Sequence, residues 1–242
     1  MRLLNTQAVF AACAAIALCG AAGTTVEQVG HTRAAIVLPD DQPIGSVILI
    51  PGGTTLQSID PDGAPGNKGN FVMRIRGAFT RAGYAVAYVA DPGDLGPLIR
   101  RMRSVARPVF FLATSNGTGV AAANAARLGS DGPDGIILTS TVTGRGRISQ
   151  PVTAAYAAKI TVPVLFVHNR NDGCSVSPPS GIAALIAGFP KGTDVTRIDV
   201  TSPVTGNDPC EPYSAHGYDG IETDVTAQIL AWMHAHGAQG TR

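Results

Sequence analysis

Short apolar runs that end at turn residues, with helix-like segments between them, constrain the fold of this chain more than any other feature. Six runs are continuously apolar rather than alternating, and several are rich in β-branched residues. That pattern is typical of strands buried on both faces of a parallel sheet. The six runs are Ala34–Leu38, Ser46–Ile50, Tyr84–Val89, Val109–Ala113, Gly135–Thr139 and Val162–His168. A seventh, shorter run is Thr196–Val200, and Val26–Gly30 is a candidate edge strand.

Helix-like segments lie between these runs. In the last segment, Val225, Ile229 and Trp232 recur at helical spacing. Strands that alternate with helices predict an α/β fold with a mostly parallel central sheet and helices on both faces. Ligands of such sheets bind beyond the carboxyl ends of the strands, so residues with chemical roles are expected just after the apolar runs. The segments are Phe71–Arg81, Leu95–Val105, Gly119–Leu128, Ala154–Ala158, Gly181–Ala187 and Ile221–His236.

The composition of the chain is that of a globular protein. Its 242 residues are 45% hydrophobic and 14% charged, which suits a single α/β domain. The 18 basic side chains nearly balance the 17 acidic ones, and no basic run stands out. The sequence therefore carries no sign of binding to nucleic acid or to an anionic membrane.

The N-terminal residues have the layout of a secretory signal peptide. Arg2 precedes the apolar run Ala8–Leu18, and small residues follow at 20–23. The run is too short to span a bilayer as a helix. We therefore predict a signal peptide over 1–23, with cleavage near its end, and an exported domain over 24–242, periplasmic or secreted and without a stable membrane anchor. A lipoprotein site at Cys19 is an alternative, although the leucine before it is bulky for such a site, and an uncleaved anchor is another.

Two cysteines remain beyond this leader, at positions 174 and 210. An oxidising compartment would allow Cys174 and Cys210 to pair. The alternative is two buried thiols. Because the spacing is not that of a C-x-x-C motif, a metal or redox role is not expected.

A serine follows the apolar run Val109–Ala113. The run ends at Thr-Ser-Asn-Gly, and an alanine-rich segment comes next. Ala113 and Gly117 flank Ser115 two residues away on each side, as a nucleophile elbow requires, because strand and helix pass closely at such a bend. The alternative is a serine that only caps the following helix.

Backbone N–H groups for an oxyanion are expected near this serine. The backbone of Asn116 would donate one at the start of the helix, where the dipole is positive. The stretch LIPGGTT ends an early strand, and Gly53 or Thr54 would supply the second N–H. The alternative is that Pro-Gly-Gly is only a turn.

A serine nucleophile needs a base and an acid that orients it. Asp172 lies in the turn after the run that ends at His168, and residues 136–160 contain no acidic side chain. Alternatives for the acid are Asp194, Asp199 and an Asp172 that serves only the turn. Among the five histidines, only His216 lies in a loop between the last strand and the last helix.

The cysteines and the chain order support the same assignment. Ser115, Asp172 and His216 follow one another in the order nucleophile, acid, base. His168 precedes the acid, so a structural role near Asp172 is preferred for it over the role of base. A Cys174–Cys210 bridge would join the acid loop to the histidine loop, which a catalytic triad needs close together.

From about Ile36 to Trp232, the chain resembles the α/β-hydrolase superfamily. The elbow ATSNG stands where the family more often has G-x-S-x-G, PGG stands in place of a His-Gly segment, and HNRNDGC and AHGYDG resemble the acid and histidine loops. The resemblance implies Ser115 as nucleophile, His216 as base and Asp172 as orienting acid, with no metal and no organic cofactor.

The function that follows is cleavage of an ester or related acyl bond through a covalent acyl-enzyme. Only about twenty residues separate Thr141 from the next strand, enough for a small cap but not for a large lid. An open site suits a small or soluble acyl substrate, which is the one partner expected. The alternatives are a non-catalytic exported binding protein on the same fold and a peptidase.

Overall fold

The computed structural model describes residues 23–53, 58–146, 149–203, 206 and 208–237. Most of the predicted signal peptide, residues 1–22, lies outside this part of the chain, and so does Thr54. Within the described ranges, no helix is long and apolar enough to cross a bilayer.

A single sheet of eight strands organises the described residues, in the order β1-β2-β4-β3-β5-β6-β7-β8. β1 pairs antiparallel with β2, and β2 pairs antiparallel with β4. All further neighbours, from β4–β3 to β7–β8, pair in parallel. The predicted mostly parallel α/β sheet is therefore confirmed. The strands are β1 Thr24–Val29, β2 Thr32–Val37, β3 Gly45–Ile50, β4 Tyr84–Val89, β5 Val109–Thr114, β6 Gly135–Thr139, β7 Val164–Asn169 and β8 Val195–Val200.

Six α-helices of the described residues cover the sheet, and each begins and ends within about two residues of its predicted boundaries. Side chains of α1 and α6 pack in the core on one face of the sheet. Side chains of α2, α3 and α5 pack in the core on the other face. Both faces are covered, as the continuously apolar strands predict. The helices are α1 Phe71–Arg81, α2 Gly96–Val105, α3 Gly117–Leu128, α4 Ala154–Ala157, α5 Gly181–Ile186 and α6 Glu222–Gly237.

The central strands bring the ends of distant segments to one edge of the sheet. Every residue of β3, β5, β6 and β7 is buried, because helices cover both of their faces. Ile50 at the end of β3 pairs with Ala113, and Thr114 pairs with Thr139 at the end of β6. The turns that follow these strands therefore meet at the same edge, where an open α/β sheet binds its ligands.

The segment between β6 and β7 carries one short helix in its described part, the four-residue α4. Its backbone returns to the sheet edge, since Val152 N donates to the carbonyl oxygen of Val142 over 2.8 Å. Thr143 N and Gly144 N both donate to Val176 O, which ties the segment to the turn after β7. These contacts bring the segment beside the residues that follow β5 and β7.

Candidate active site

Ser115 is the first residue beyond β5 and has a backbone conformation that is rare for its type. Its φ is 52°, in the left-handed region that few non-glycine residues adopt. Its N–H donates to Thr139 O over 3.1 Å, and its carbonyl accepts from Thr118 N over 2.9 Å. Ser115 is therefore held in a sharp turn between β5 and α3, a type of strain that clusters at functional sites.

Glycines allow this turn to form against the end of β3. A Cβ atom on Gly117 would overlap the carbonyl oxygen of Ile50. A Cβ atom on Gly52 would lie 2.6 Å from the Cβ atom of Ser115. The close passage of strand, turn and helix thus has a direct steric cause, and it explains the small residues on either side of Ser115.

Asp172 and His216 form a buried hydrogen-bonded pair. Asp172 Oδ2 lies 3.0 Å from Nδ1 of His216, and Asp172 Oδ1 accepts from Cys174 N over 2.9 Å. Because an ionised carboxylate only accepts hydrogen bonds, this contact requires the imidazole proton to be on Nδ1. The other ring nitrogen, Nε2, is then left with a free lone pair.

The two alternative acids have other partners. Asp194 Oδ2 lies 3.1 Å from Nε2 of His236, near the C-terminal end of α6. Asp199 accepts from Nε of Arg197 over 2.9 Å within β8. Of the three aspartates considered, Asp172 is the one that the structure brings to His216.

The predicted disulfide is present and joins the loops that carry this pair. Cys174 is bonded to Cys210, and their Cα atoms lie 4.7 Å apart. Cys174 comes two residues after Asp172, and Cys210 comes six before His216. The loops are therefore covalently linked beside the hydrogen bond between their side chains.

A cavity of about 440 Å³ brings Ser115 and His216 to one space. Among the described residues, no hydrogen bond joins Ser115 Oγ to the imidazole, although both side chains line this space. The same cavity is lined by both cysteines, Asn116, Gly53 and Glu211. The nucleophile and base candidates thus share a cavity, and the acid lies behind the base.

Asn116 connects the two segments expected to hold an oxyanion. Its Nδ2 donates to the carbonyl oxygen of Gly53 over 3.0 Å, and its Oδ1 accepts from Gln150 N over 3.2 Å. Gly53 has a φ of 109°, which favours glycine. Asn116 directly precedes α3, and both residues line the cavity. Only the backbone of Asn116 was predicted from the sequence to have a role, so the two hydrogen bonds of its side chain were missed.

His168 lies behind the acid and is fully buried. Its Nε2 donates to Ser177 O over 2.9 Å and lies 3.8 Å from Asp172 Oδ2. Burial is the main cause that lowers the pKa of His168 below its ordinary value. A neutral histidine that supports the acid loop agrees with the structural role preferred above.

Ser177 is a polar neighbour of the pair that sequence reasoning did not find. Its Oγ donates to Asp172 Oδ2 over 3.0 Å and lies 3.0 Å from Nδ1 of His216. The side chain is fully buried. Nothing in SVSPP distinguishes this serine from an ordinary turn serine, so the sequence held no signal for it.

Buried hydrogen bonds position the backbone of the histidine loop. Ser140 Oγ donates to the carbonyl oxygen of His216 over 2.6 Å. The hydroxyl of Tyr218 donates to Val167 O over 2.7 Å and accepts from Ser140 N over 2.8 Å. Burial raises the pKa of Tyr218 above its ordinary value, so the phenol stays a donor.

Arg74 holds the same loop from the side of α1. Its Nη2 donates to Gly217 O over 2.6 Å and to Glu222 over 2.9 Å, and its Nη1 donates to Pro212 O over 3.1 Å. The guanidinium also lies 4.9 Å from the ring centre of Tyr213. The position of the His216 loop is thus set by contacts from α1, β6 and β7 together. No local sequence pattern indicates these contacts.

Within the described ranges, no group of three or more histidine, cysteine, aspartate or glutamate side chains is arranged to hold a metal ion. Of the predicted site residues, Ser115 and His216 line one cavity, and Asp172 is hydrogen-bonded to His216. Such a set can transfer a proton from a hydroxyl to an imidazole and stabilise the resulting cation.

The element order, the strand order and the turn at Ser115 define an α/β-hydrolase fold. Comparison with solved structures shows the same fold in Est1E from Butyrivibrio proteoclasticus, with a TM-score of 0.64 and 13% identity over 89% of this chain and 99% of that one. A sugar hydrolase from Lactococcus lactis gives a TM-score of 0.61 and 16% identity over 88% of this chain and 98% of that one.

A third similar structure, dienelactone hydrolase from Anabaena variabilis, has a TM-score of 0.59 and 14% identity, over 88% of this chain and 97% of that one. No known protein-family model matches the sequence, and a search of curated proteins gave no significant match. The expected superfamily resemblance is therefore confirmed at the level of the fold.

Proposed function

We propose that this protein is a serine hydrolase that cleaves an ester or related acyl bond. The observation that carries the proposal is one cavity lined by both a strained Ser115 and His216, whose Nδ1 is hydrogen-bonded to the buried Asp172. Names of similar structures, such as the sugar hydrolase and the dienelactone hydrolase, support the hydrolase class. Fold alone does not define a substrate.

In the proposed mechanism, Ser115 Oγ attacks the substrate carbonyl while Nε2 of His216 accepts the hydroxyl proton. Asp172 holds the imidazole by Nδ1 and stabilises the imidazolium that forms. The imidazolium then protonates the leaving oxygen, and the acyl group remains on Ser115. Water, deprotonated by His216, attacks the acyl carbon and releases the acid with the serine restored.

The negative oxygen of each tetrahedral intermediate requires preorganised donors. Backbone N–H groups of Asn116 and of Gly53 or Thr54 are proposed for this role. Asn116 and Gly53 are joined by a side-chain hydrogen bond, so their relative position is set before substrate binds. Preorganised donors of this kind contribute about 3–4 kcal/mol each to transition-state stabilisation.

The substrate we propose is a small or soluble acyl compound, and the protein acts after export. A cavity of about 440 Å³ accommodates a small ester. The Cys174–Cys210 disulfide supports an oxidising compartment, periplasmic or extracellular, since disulfides persist there. Residues 1–23 are proposed as the signal peptide that directs this export.

Labelling with a fluorophosphonate and turnover of p-nitrophenyl acetate test the proposal. We expect the wild-type protein to be labelled on Ser115 and to hydrolyse the ester, and S115A to lose both, with a fall in kcat of about a thousandfold or more. The matched control is S149A, which removes a hydroxyl from the same cavity and leaves labelling in place.

Two results would contradict the assignment. Labelling of S115A at the wild-type rate would exclude Ser115 as the nucleophile. A folded wild-type protein that neither reacts with the probe nor turns over esters, thioesters or aminoacyl substrates would instead support the non-catalytic binding protein.

A further inference from the structure

We propose that Ser177 is a positioning residue of the acid–base pair, whose hydroxyl fixes the Nδ1–H form of His216 and stabilises its cation. This inference rests on the proposed function, because it assigns a role in the same proton transfer. It is carried by the two 3.0 Å contacts of Ser177 Oγ, one to Asp172 Oδ2 and one to Nδ1 of His216.

The hydroxyl has one proton, and because its two neighbours are equally distant, their charge decides where it points. If Ser177 donated to Nδ1, the imidazole would carry its proton on Nε2 and could not accept one from Ser115. Asp172 Oδ2 is a charged acceptor within 3.0 Å, and a charged acceptor forms the stronger hydrogen bond. The hydroxyl proton therefore points to Asp172, and the oxygen of Ser177 is turned toward the Nδ1–H group.

This orientation stabilises the state that forms during proton transfer. The positive end of the hydroxyl dipole lies against the carboxylate, and the negative end lies against the imidazole. When His216 gains a proton, the dipole points along the field of the new ion pair. The Ser177 side chain is fully buried, so solvent does not screen the interaction between its hydroxyl dipole and the ion pair.

The surrounding contacts keep the hydroxyl in place. Ser177 N donates to Cys174 O over 3.0 Å, and Ser177 O accepts from Nε2 of His168 over 2.9 Å. Cys174 is in turn bonded to Cys210. The backbone of Ser177 is therefore held from both sides, which is what a positioning residue requires.

The test compares wild-type protein with S177A. We expect kcat for p-nitrophenyl acetate to fall about tenfold to a hundredfold, with KM within about twofold, as for the loss of one hydrogen bond to a charged group. The acidic limb of the kcat/KM profile is expected to move to lower pH, because the imidazolium loses an acceptor. S177T, which restores a hydroxyl, should recover part of kcat.

S177A keeps every other titratable side chain near His216 and removes the hydroxyl contacts to Asp172 and His216. Among the described residues those side chains are Asp172, His168 beyond it, Tyr218 in the same loop, Arg74 on α1 and Glu211 across the cavity. A shift in the acidic limb of the kcat/KM–pH profile therefore reports on the loss of the Ser177 hydroxyl.

The matched control is S46A. Ser46 is also fully buried, and its Oγ donates to Ala106 O over 2.7 Å and to Met102 O over 3.2 Å, at the opposite edge of the sheet. S46A should lower the melting temperature but leave the pH profile as in wild-type protein. If S177A retains wild-type kcat and profile, or changes only its melting temperature as S46A does, the proposal is overturned.

A measurement on the wild-type protein applies even if S177A does not fold. In protein labelled with ¹⁵N-histidine, assigned with H216Q, we expect His216 to carry its proton on Nδ1 at neutral pH. A proton on Nε2 would overturn the proposal. Loss of the proposed function is separate, since a wild-type protein without turnover or labelling contradicts the hydrolase assignment, whatever the state of this proton.

Discussion

Removal of the Cys174–Cys210 disulfide is the perturbation whose cost follows most directly from the structure. The two cysteines are separated by 36 positions in the sequence, and the bridge closes the loop between them. The chain-entropy relation then gives about 4 kcal/mol of stabilisation through the unfolded state. For a domain of this size, each kcal/mol shifts the melting temperature by about 2–4 °C. The double variant C174A/C210S is therefore expected to melt about 8–16 °C below the oxidised wild-type protein.

The same variant should lose activity before it unfolds. The bridge joins the loop of Asp172 to the loop of His216, so without it their 3.0 Å contact depends on hydrogen bonds alone. A misplacement of catalytic groups by about 1 Å can cost a hundredfold in rate. We expect kcat for p-nitrophenyl acetate to fall several-fold at temperatures where circular dichroism shows a folded protein.

Thermal unfolding followed by circular dichroism, with and without a thiol reductant, measures the effect. Reductant should lower the melting temperature of the wild-type protein and leave that of the double variant unchanged. A shift below about 2 °C would refute the loop-closure argument. Unchanged kcat in the folded variant would show that the bridge does not position the two loops.

Two further predictions concern Asn116 and His168. N116A should lower kcat about tenfold with little change in KM, because it loses the hydrogen bond to Gly53 O but keeps its backbone N–H. N116D should be slower still, since a carboxylate repels the oxyanion, and an N116D faster than N116A would contradict the proposed oxyanion site. The pKa of His168 is lowered in the folded chain. Below pH 6.5 the unfolded chain therefore binds a proton at this residue more readily than the folded chain does. Stability should therefore fall as pH drops from 7.5 to 5.5, by up to about 1.4 kcal/mol per pH unit from this group. In urea unfolding, H168Q should lose that part of the slope, and an identical slope would show that His168 does not contribute it.

The prediction of the fold succeeded because its signals are local. Continuous apolar runs such as Val109–Ala113 require burial on both faces, which few architectures provide. The predicted boundaries differ little from the observed ones: α3 begins at Gly117 and not at Gly119, and β8 begins at Val195 and not at Thr196. Each difference is a residue or two at an end, where local preferences are weakest.

Part of the candidate site could also be anticipated. Ser115 is marked by the small residues around it, because the steric demand of the turn acts between neighbours in sequence. The cysteines were recognisable as a pair from their number. Asp172 was preferred from the sequence because it lies in the turn after a strand, whereas Asp194 and Asp199 lie beside or inside the next strand. The structure then gives each of the three a different partner.

The sequence by itself determined the strand and helix pattern, the turn at Ser115 and the candidate groups for a catalytic triad. Tertiary structure alone decided that Asp172 meets His216 across 44 positions of sequence and that Asn116 reaches Gly53 across 63. It also placed Ser177 against both members of the acid–base pair. The physical reason is range: steric and apolar patterns act between neighbours along the chain, whereas a hydrogen bond near 3 Å depends on how distant strands align and how their loops return.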